Sequence, residues 1–116
     1  MAVTAHCYTR DTNNPALVLV HGLGSAGNIW KSLVPQLIES FTVYAIDLPG
    51  HGEAPLTEGE ELDPRSLAQS IVDYMVSEIG VTQMHVAGNS LGGWIALEMA
   101  AVAPDNVLSV TALAPA

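Results

Sequence analysis

The chain has 116 residues, room for one domain and no more. Hydrophobic residues make up 49% of it, enough to bury a core and to exclude a disordered segment. Three basic residues against twelve acidic ones give a net charge of −9, which excludes the clustered cationic surface that a nucleic-acid partner requires.

Five of the acids, Glu53, Glu58, Glu60, Glu61 and Asp63, share one short stretch that reads as a solvated loop. Cys7 is the single cysteine, so there is no disulfide framework, and a small buried hydrophobe is its expected role. The opening "MAVTAHCYTRDTNN" lacks the basic start and apolar segment of a signal peptide. No apolar run approaches the roughly 20 residues of a membrane helix, and a cytoplasmic location is expected.

A weak strand is expected at 3–8. "ALVLVHG" (16–22) is a short β-branched run closed by glycine, a buried strand by length and composition. A helix over about 28–39 follows, with Trp30, Leu33 and Leu37 inward, and Pro35 must shorten or kink it. "TVYAIDLPGHG" (42–52) is a second strand running into a Pro-Gly turn. Asp63-Pro64 opens the next helix; Leu67, Ile71, Met75 and Ile79 recur on its core face, and Gly80 supplies the stop. "QMHVAGNS" (83–90) is the third strong strand. The helix from about Leu91 to Ala103 has Gly92, Gly93, Ala96, Ala100 and Ala101 for close packing on a sheet. "NVLSVTALAPA" (106–116) is the last strand.

The four strong strands are nearly continuous apolar runs, as in a parallel sheet covered on both faces. Alternation of strands with helices therefore predicts an α/β fold: a parallel sheet of about four to five strands, helices on both faces, right-handed crossovers. Ligands of such sheets bind at the carboxyl ends of the strands. Three of those ends carry Gly-bearing turns here, "HGLGSAG", "DLPGHG" and "GNSLGG".

Gly88-Asn89-Ser90-Leu91-Gly92 fits G-x-S-x-G, with an expected strand before it and an expected helix after it. A nucleophile at the apex of such a turn takes strained backbone angles, and its neighbours two places away must be small. The helix amino end also presents unpaired N–H groups where negative charge develops during acyl transfer. The plainer alternative for Ser90 is a helix cap.

The three motifs in this order resemble the α/β-hydrolase fold family, serine-nucleophile branch, over its amino-terminal portion. "HGLGS" resembles its His-Gly oxyanion loop, "DLPGHG" the turn after its next strand, and "GNSLGGW" its nucleophile elbow. The resemblance implies Ser90 as nucleophile, with the backbone N–H groups of Leu91 and Leu23 as the oxyanion hole and Gly24 the substitute for Leu23. It implies an ester-type small-molecule substrate, with esterases, lactonases, carbon–carbon-bond hydrolases and perhydrolase-like members left open. Serine at position 90 disfavours the family's aspartate-nucleophile members.

In the family the triad continues as an acid and then a histidine. Residues 91–116 contain no histidine, and their only acids are Glu98 and Asp105. At 1.5 Å per helical residue, Glu98 lies roughly 12 Å from the elbow, too far to orient an imidazole. Among upstream histidines His21, near the oxyanion loop, is the closest auxiliary. His51 suits a bond within its own turn, His85 lies some 16 Å below the elbow as a core histidine, and His6 is in the weakest element. Asp47 has a structural role by default. No metal-ligand spacing appears. "GLGSAG" lacks the acid a dinucleotide site needs, so no cofactor is expected.

Residues 1–116 thus read as a single partial domain holding the oxyanion loop and the elbow, without the acid and histidine segments. Losing the histidine in a worked serine protease costs about 10⁶ in turnover, so the chain alone is expected to be inert or nearly so. The alternatives are a non-catalytic α/β fragment or binding module, and one half of an enzyme completed by another chain. The last strand, at 107–113, becomes an apolar edge that invites self-association. Trp94 either lines an acyl pocket or packs helix on sheet.

Overall fold

The computed structural model describes residues 3–8, 13–22, 25–51, 54 and 63–114. The acids at 53, 58, 60 and 61, and the loop residues Leu23 and Gly24, lie outside them. Five strands form one sheet in the order β1-β3-β2-β4-β5: β1 Thr4–Cys7, β2 Ala16–Val20, β3 Thr42–Asp47, β4 Met84–Asn89 and β5 Val107–Leu113. Strands β3, β2, β4 and β5 run parallel. β1 is antiparallel to β3, with Thr4 opposite Asp47 and Cys7 opposite Tyr44, so the sheet is mixed at that margin.

The central strands divide their side chains between two cores because successive residues point to opposite faces. Val18, Val20, Ile46, Met84 and Val86 pack under two helices, α2 (Pro64–Tyr74) and α3 (Leu91–Val102). Leu17, Leu19, Val43 and Ala45 pack under Trp30 and Val34.

The expected helix over 28–39 is two short pieces, a 3-10 helix at Gly27–Ser32 and α1 at Val34–Leu37. Pro35 has no N–H to give a continuous helix, so it is accommodated in the first turn of a new one. The break turns Leu33 outward, to 44% exposure, rather than inward as the periodicity implies.

Asp63 caps α2 by accepting from the Ser66 amide at 3.0 Å and from the Ser66 hydroxyl at 2.7 Å. Those bonds hold its carboxyl below the usual carboxylate range. The helix widens into a π turn at Met75–Ile79, which Gly80 ends at φ 84°, in the left-handed region. α3 seats Gly92, Gly93, Ile95, Ala96 and Met99 against the sheet and turns Ala101 out. Among the described residues no helix is long and apolar enough to cross a membrane.

Candidate active site

Ser90 stands between β4 and α3 at the carboxyl end of the sheet, with φ 58° and ψ −119°. A side chain in the left-handed half of the map carries strain that its surroundings must impose. Here they do. A methyl group on Gly88 would lie 2.1 Å from the Gly92 carbonyl oxygen, and one on Gly92 would lie 2.1 Å from that of Val20. Strand and helix therefore touch backbone to backbone on either side of position 90, and the turn between them has no room to relax.

Two further bonds fix the bend. The Ser90 amide donates to the Leu113 carbonyl at 2.9 Å, tying the elbow to the end of β5. The Ser90 carbonyl accepts from the amides of Gly93 and Trp94, which starts α3. The Ser90 side chain makes no capping bond, so the plainer role as helix cap is not the one it plays. The residue is exposed at the amino end of a twelve-residue helix, where the peptide dipoles favour developing negative charge. Leu91, the first residue of α3, has an N–H without an acceptor inside the helix.

The first Gly-rich loop begins beside this hydroxyl. A methyl group on Gly22 would sit 3.4 Å from Ser90 Cβ and 4.0 Å from its Oγ. The expected oxyanion donor Leu23 is the next residue in the chain and lies outside the described residues, as does Gly24.

His21, just before Gly22, is fully buried. Its Nε2 accepts the Leu48 amide at 3.0 Å, so the ring proton is on Nδ1, which donates to the Gly22 carbonyl at 2.7 Å. Burial holds its pKa below the usual histidine value, as a neutral ring requires. With both nitrogens on backbone groups, the imidazole clamps the loop and has no nitrogen left to act as auxiliary base toward Ser90.

Each of the other histidines holds a partner through one ring nitrogen. His51 Nδ1–H donates to the Pro49 carbonyl within its turn, and its ring lies 5.1 Å from that of His21. His6 Nε2–H donates to the buried Asp47 carboxylate at 3.1 Å, joining β1 to the end of β3, a pairing that the sequence did not suggest. His85 is half-buried rather than enclosed in a core. Its Nδ1 is 2.6 Å from Ser109 Oγ on β5, and its ring meets Phe41 edge-on.

Glu98 pairs with Arg65 of α2 at 3.0 Å, away from the elbow. Trp94 is 43% exposed one helical turn beyond Ser90, so it does not pack α3 on the sheet. Cys7 is half-buried, not enclosed. Among the described residues no three His, Cys, Asp or Glu converge as metal ligands.

A family model described as alpha/beta hydrolase fold matches residues 15–116. The chain belongs to the alpha/beta hydrolase fold family. It is 41% identical over 99 residues to a pimeloyl-[acyl-carrier protein] methyl ester esterase of Methylococcus capsulatus, covering 85% of this chain and 36% of that protein. Over 111 residues it is 36% identical to a dihydrolipoyllysine-residue acetyltransferase component of an acetoin cleaving system from Cupriavidus necator, covering 93% of this chain and 29% of the relative. A solved structure titled as a marine microorganism esterase superposes with a TM-score of 0.84 at 26% identity, over 94% of this chain and 40% of the other. The chain thus spans about a third of the length of these curated relatives.

Proposed function

We propose that this chain carries the nucleophile and oxyanion half of a serine hydrolase of the family, acting on an ester through an acyl intermediate on Ser90. One observation carries the proposal. Ser90 is held at φ 58° between two glycines that admit no side chain, with its hydroxyl exposed beside the start of the Gly-rich loop. Such strain persists only where the surroundings impose it, and it clusters at active sites.

In the reaction Ser90 Oγ attacks the acyl carbon, the oxyanion rests on the N–H groups of Leu91 and Leu23, and the alcohol leaves; water then cleaves the Ser90 ester. The proton of Ser90 needs a base; His21, beside the loop, has both ring nitrogens on backbone groups, and His51 and His6 hold a carbonyl and a carboxylate. The base and its orienting acid therefore belong to polypeptide other than the described residues, and the chain alone turns over esters at or near the uncatalysed rate. The methyl ester of a carrier-bound acyl chain, named for the Methylococcus relative, is the first substrate to assay.

The test joins residues 1–116 to the remaining carboxyl-terminal part of that relative. Hydrolysis of a methyl ester that falls to background in Ser90→Ala supports the proposal. A folded chimera whose activity is unchanged by Ser90→Ala overturns it.

A further inference from the structure

We propose that His21 is an acid-operated release for the loop beside Ser90: its neutral ring fastens that loop to the turn after β3, and its protonated ring lets the turn go. The inference rests on the reading of Ser90 as nucleophile and adds a control on that same site.

The geometry gives the two ring nitrogens unequal tasks. Nε2 must accept, because the Leu48 amide faces it at 3.0 Å. Nδ1 must donate, because the Gly22 carbonyl faces it at 2.7 Å. A second proton can go only to Nε2, where two donors would then meet with no acceptor between them. The bond to Gly22 survives that change and the bond to Leu48 does not. Acid therefore parts the ring from the turn and leaves it on the loop.

His21 and Leu48 are both buried, so water cannot stand in for either partner without an opening of the structure. The Gly22 carbonyl also accepts the Ser25 amide at 3.2 Å, which keeps the bend of the loop when the ring shifts. Gly22 has little freedom of its own. A methyl group there would lie 3.4 Å from the Asn89 carbonyl oxygen and 3.4 Å from Ser90 Cβ. Movement of His21 is thus felt at the elbow.

The groups around the ring oppose its charge. His51, in the turn after β3, stands 5.1 Å away and brings a second imidazole rather than a counter-ion. The amino end of α3 abuts the residue, since a methyl group on Gly92 would lie 2.6 Å from the His21 carbonyl oxygen, and that end of a helix disfavours cations. The anion nearby is Asp47 of β3, already engaged by His6 of β1 at 3.1 Å. The charges of α2 and α3 that pair, Arg65 and Glu98, do so with each other. Burial outweighs the pull of the Gly22 carbonyl and of Asp47, so the release falls below pH 6.5.

Amide hydrogen exchange on the full chain, followed as the pH is lowered, reads the release itself. The Leu48 amide should lose protection while Val18 and Val86 of the central strands keep theirs, by about tenfold for each pH unit below the midpoint. Fluorophosphonate labelling of Ser90, divided by that of His21→Gln, should fall over the same interval, because glutamine offers Leu48 an acceptor that does not titrate. Leu48 protection that stays constant, or that is lost only together with Val18 and Val86, overturns the proposal. A labelling ratio that stays constant while Leu48 loses protection does the same. If Leu48 shows its step and Ser90 takes no label at any pH, the release stands and the reading of Ser90 as nucleophile falls.

Discussion

The backbone amide of Leu48 donates to Nε2 of His21 across 3.0 Å, pinning the turn after β3 to the residue that opens the loop beside Ser90. Because the ring is buried and neutral, its folded pKa lies below its ordinary value of 6.5. The unfolded chain therefore takes up the proton first as the solution is acidified. Stability from this group is complete above about pH 6.5 and declines as the pH falls below it. Urea midpoints measured from pH 8 to 4.5 should fall through that window.

Replacing His21 by alanine leaves the Leu48 amide buried without its partner, while the Gly22 carbonyl keeps the Ser25 amide. A loss of about 1–3 kcal/mol is expected, read from denaturant unfolding at pH 8. The fall in stability below pH 6.5 should become shallower in the same variant.

The glycines of the chain are not equivalent. Gly88→Ala and Gly92→Ala each force a methyl group to 2.1 Å from a backbone oxygen that has nowhere to go. Either change should cost more than about 4 kcal/mol, the range reserved for buried steric conflict. Gly80 has a positive φ of 84° but open space around it, so Gly80→Ala should cost about 1 kcal/mol. Thermal melts followed by circular dichroism separate the two classes.

Strain at Ser90 has a measurable sign. Ser90→Gly removes a Cβ from a backbone held at φ 58°, and the folded protein should gain about 1 kcal/mol. The gain is partly offset by the greater freedom of glycine in the unfolded chain. A stabilised variant without the proposed nucleophile is the expected pattern of a site that trades stability for function.

Much of this site was legible in the sequence because its signals are local. Gly88 and Gly92 flank Ser90 within five residues, and strand and helix patterns abut at that point, so the bend could be placed from the motif and its context, and the resemblance named it an elbow. Partners supplied from afar were not legible. His21 meets an amide 27 positions on, and His6 meets a carboxylate 41 positions on. No periodicity encodes either contact. The direction of β1 was also hidden, since a short edge strand takes its polarity from its connection to the sheet. Leu33 misled because a repeat of four presumes one continuous helix, and Pro35 splits this one. His85 misled for a different reason: an apolar strand reads as covered on both faces even where one face is a half-open groove.

The measurement that bears most directly on the central claim is residue-resolved labelling by a fluorophosphonate, followed by mass spectrometry of the folded chain. The proposed oxyanion donors would act even without a base, so Ser90 should react faster than Ser25, Ser32, Ser40, Ser66, Ser70, Ser77 and Ser109, and the label should vanish in Ser90→Ala. Equal labelling of Ser90 and the surface serines would contradict the assignment of the elbow as a nucleophile's seat.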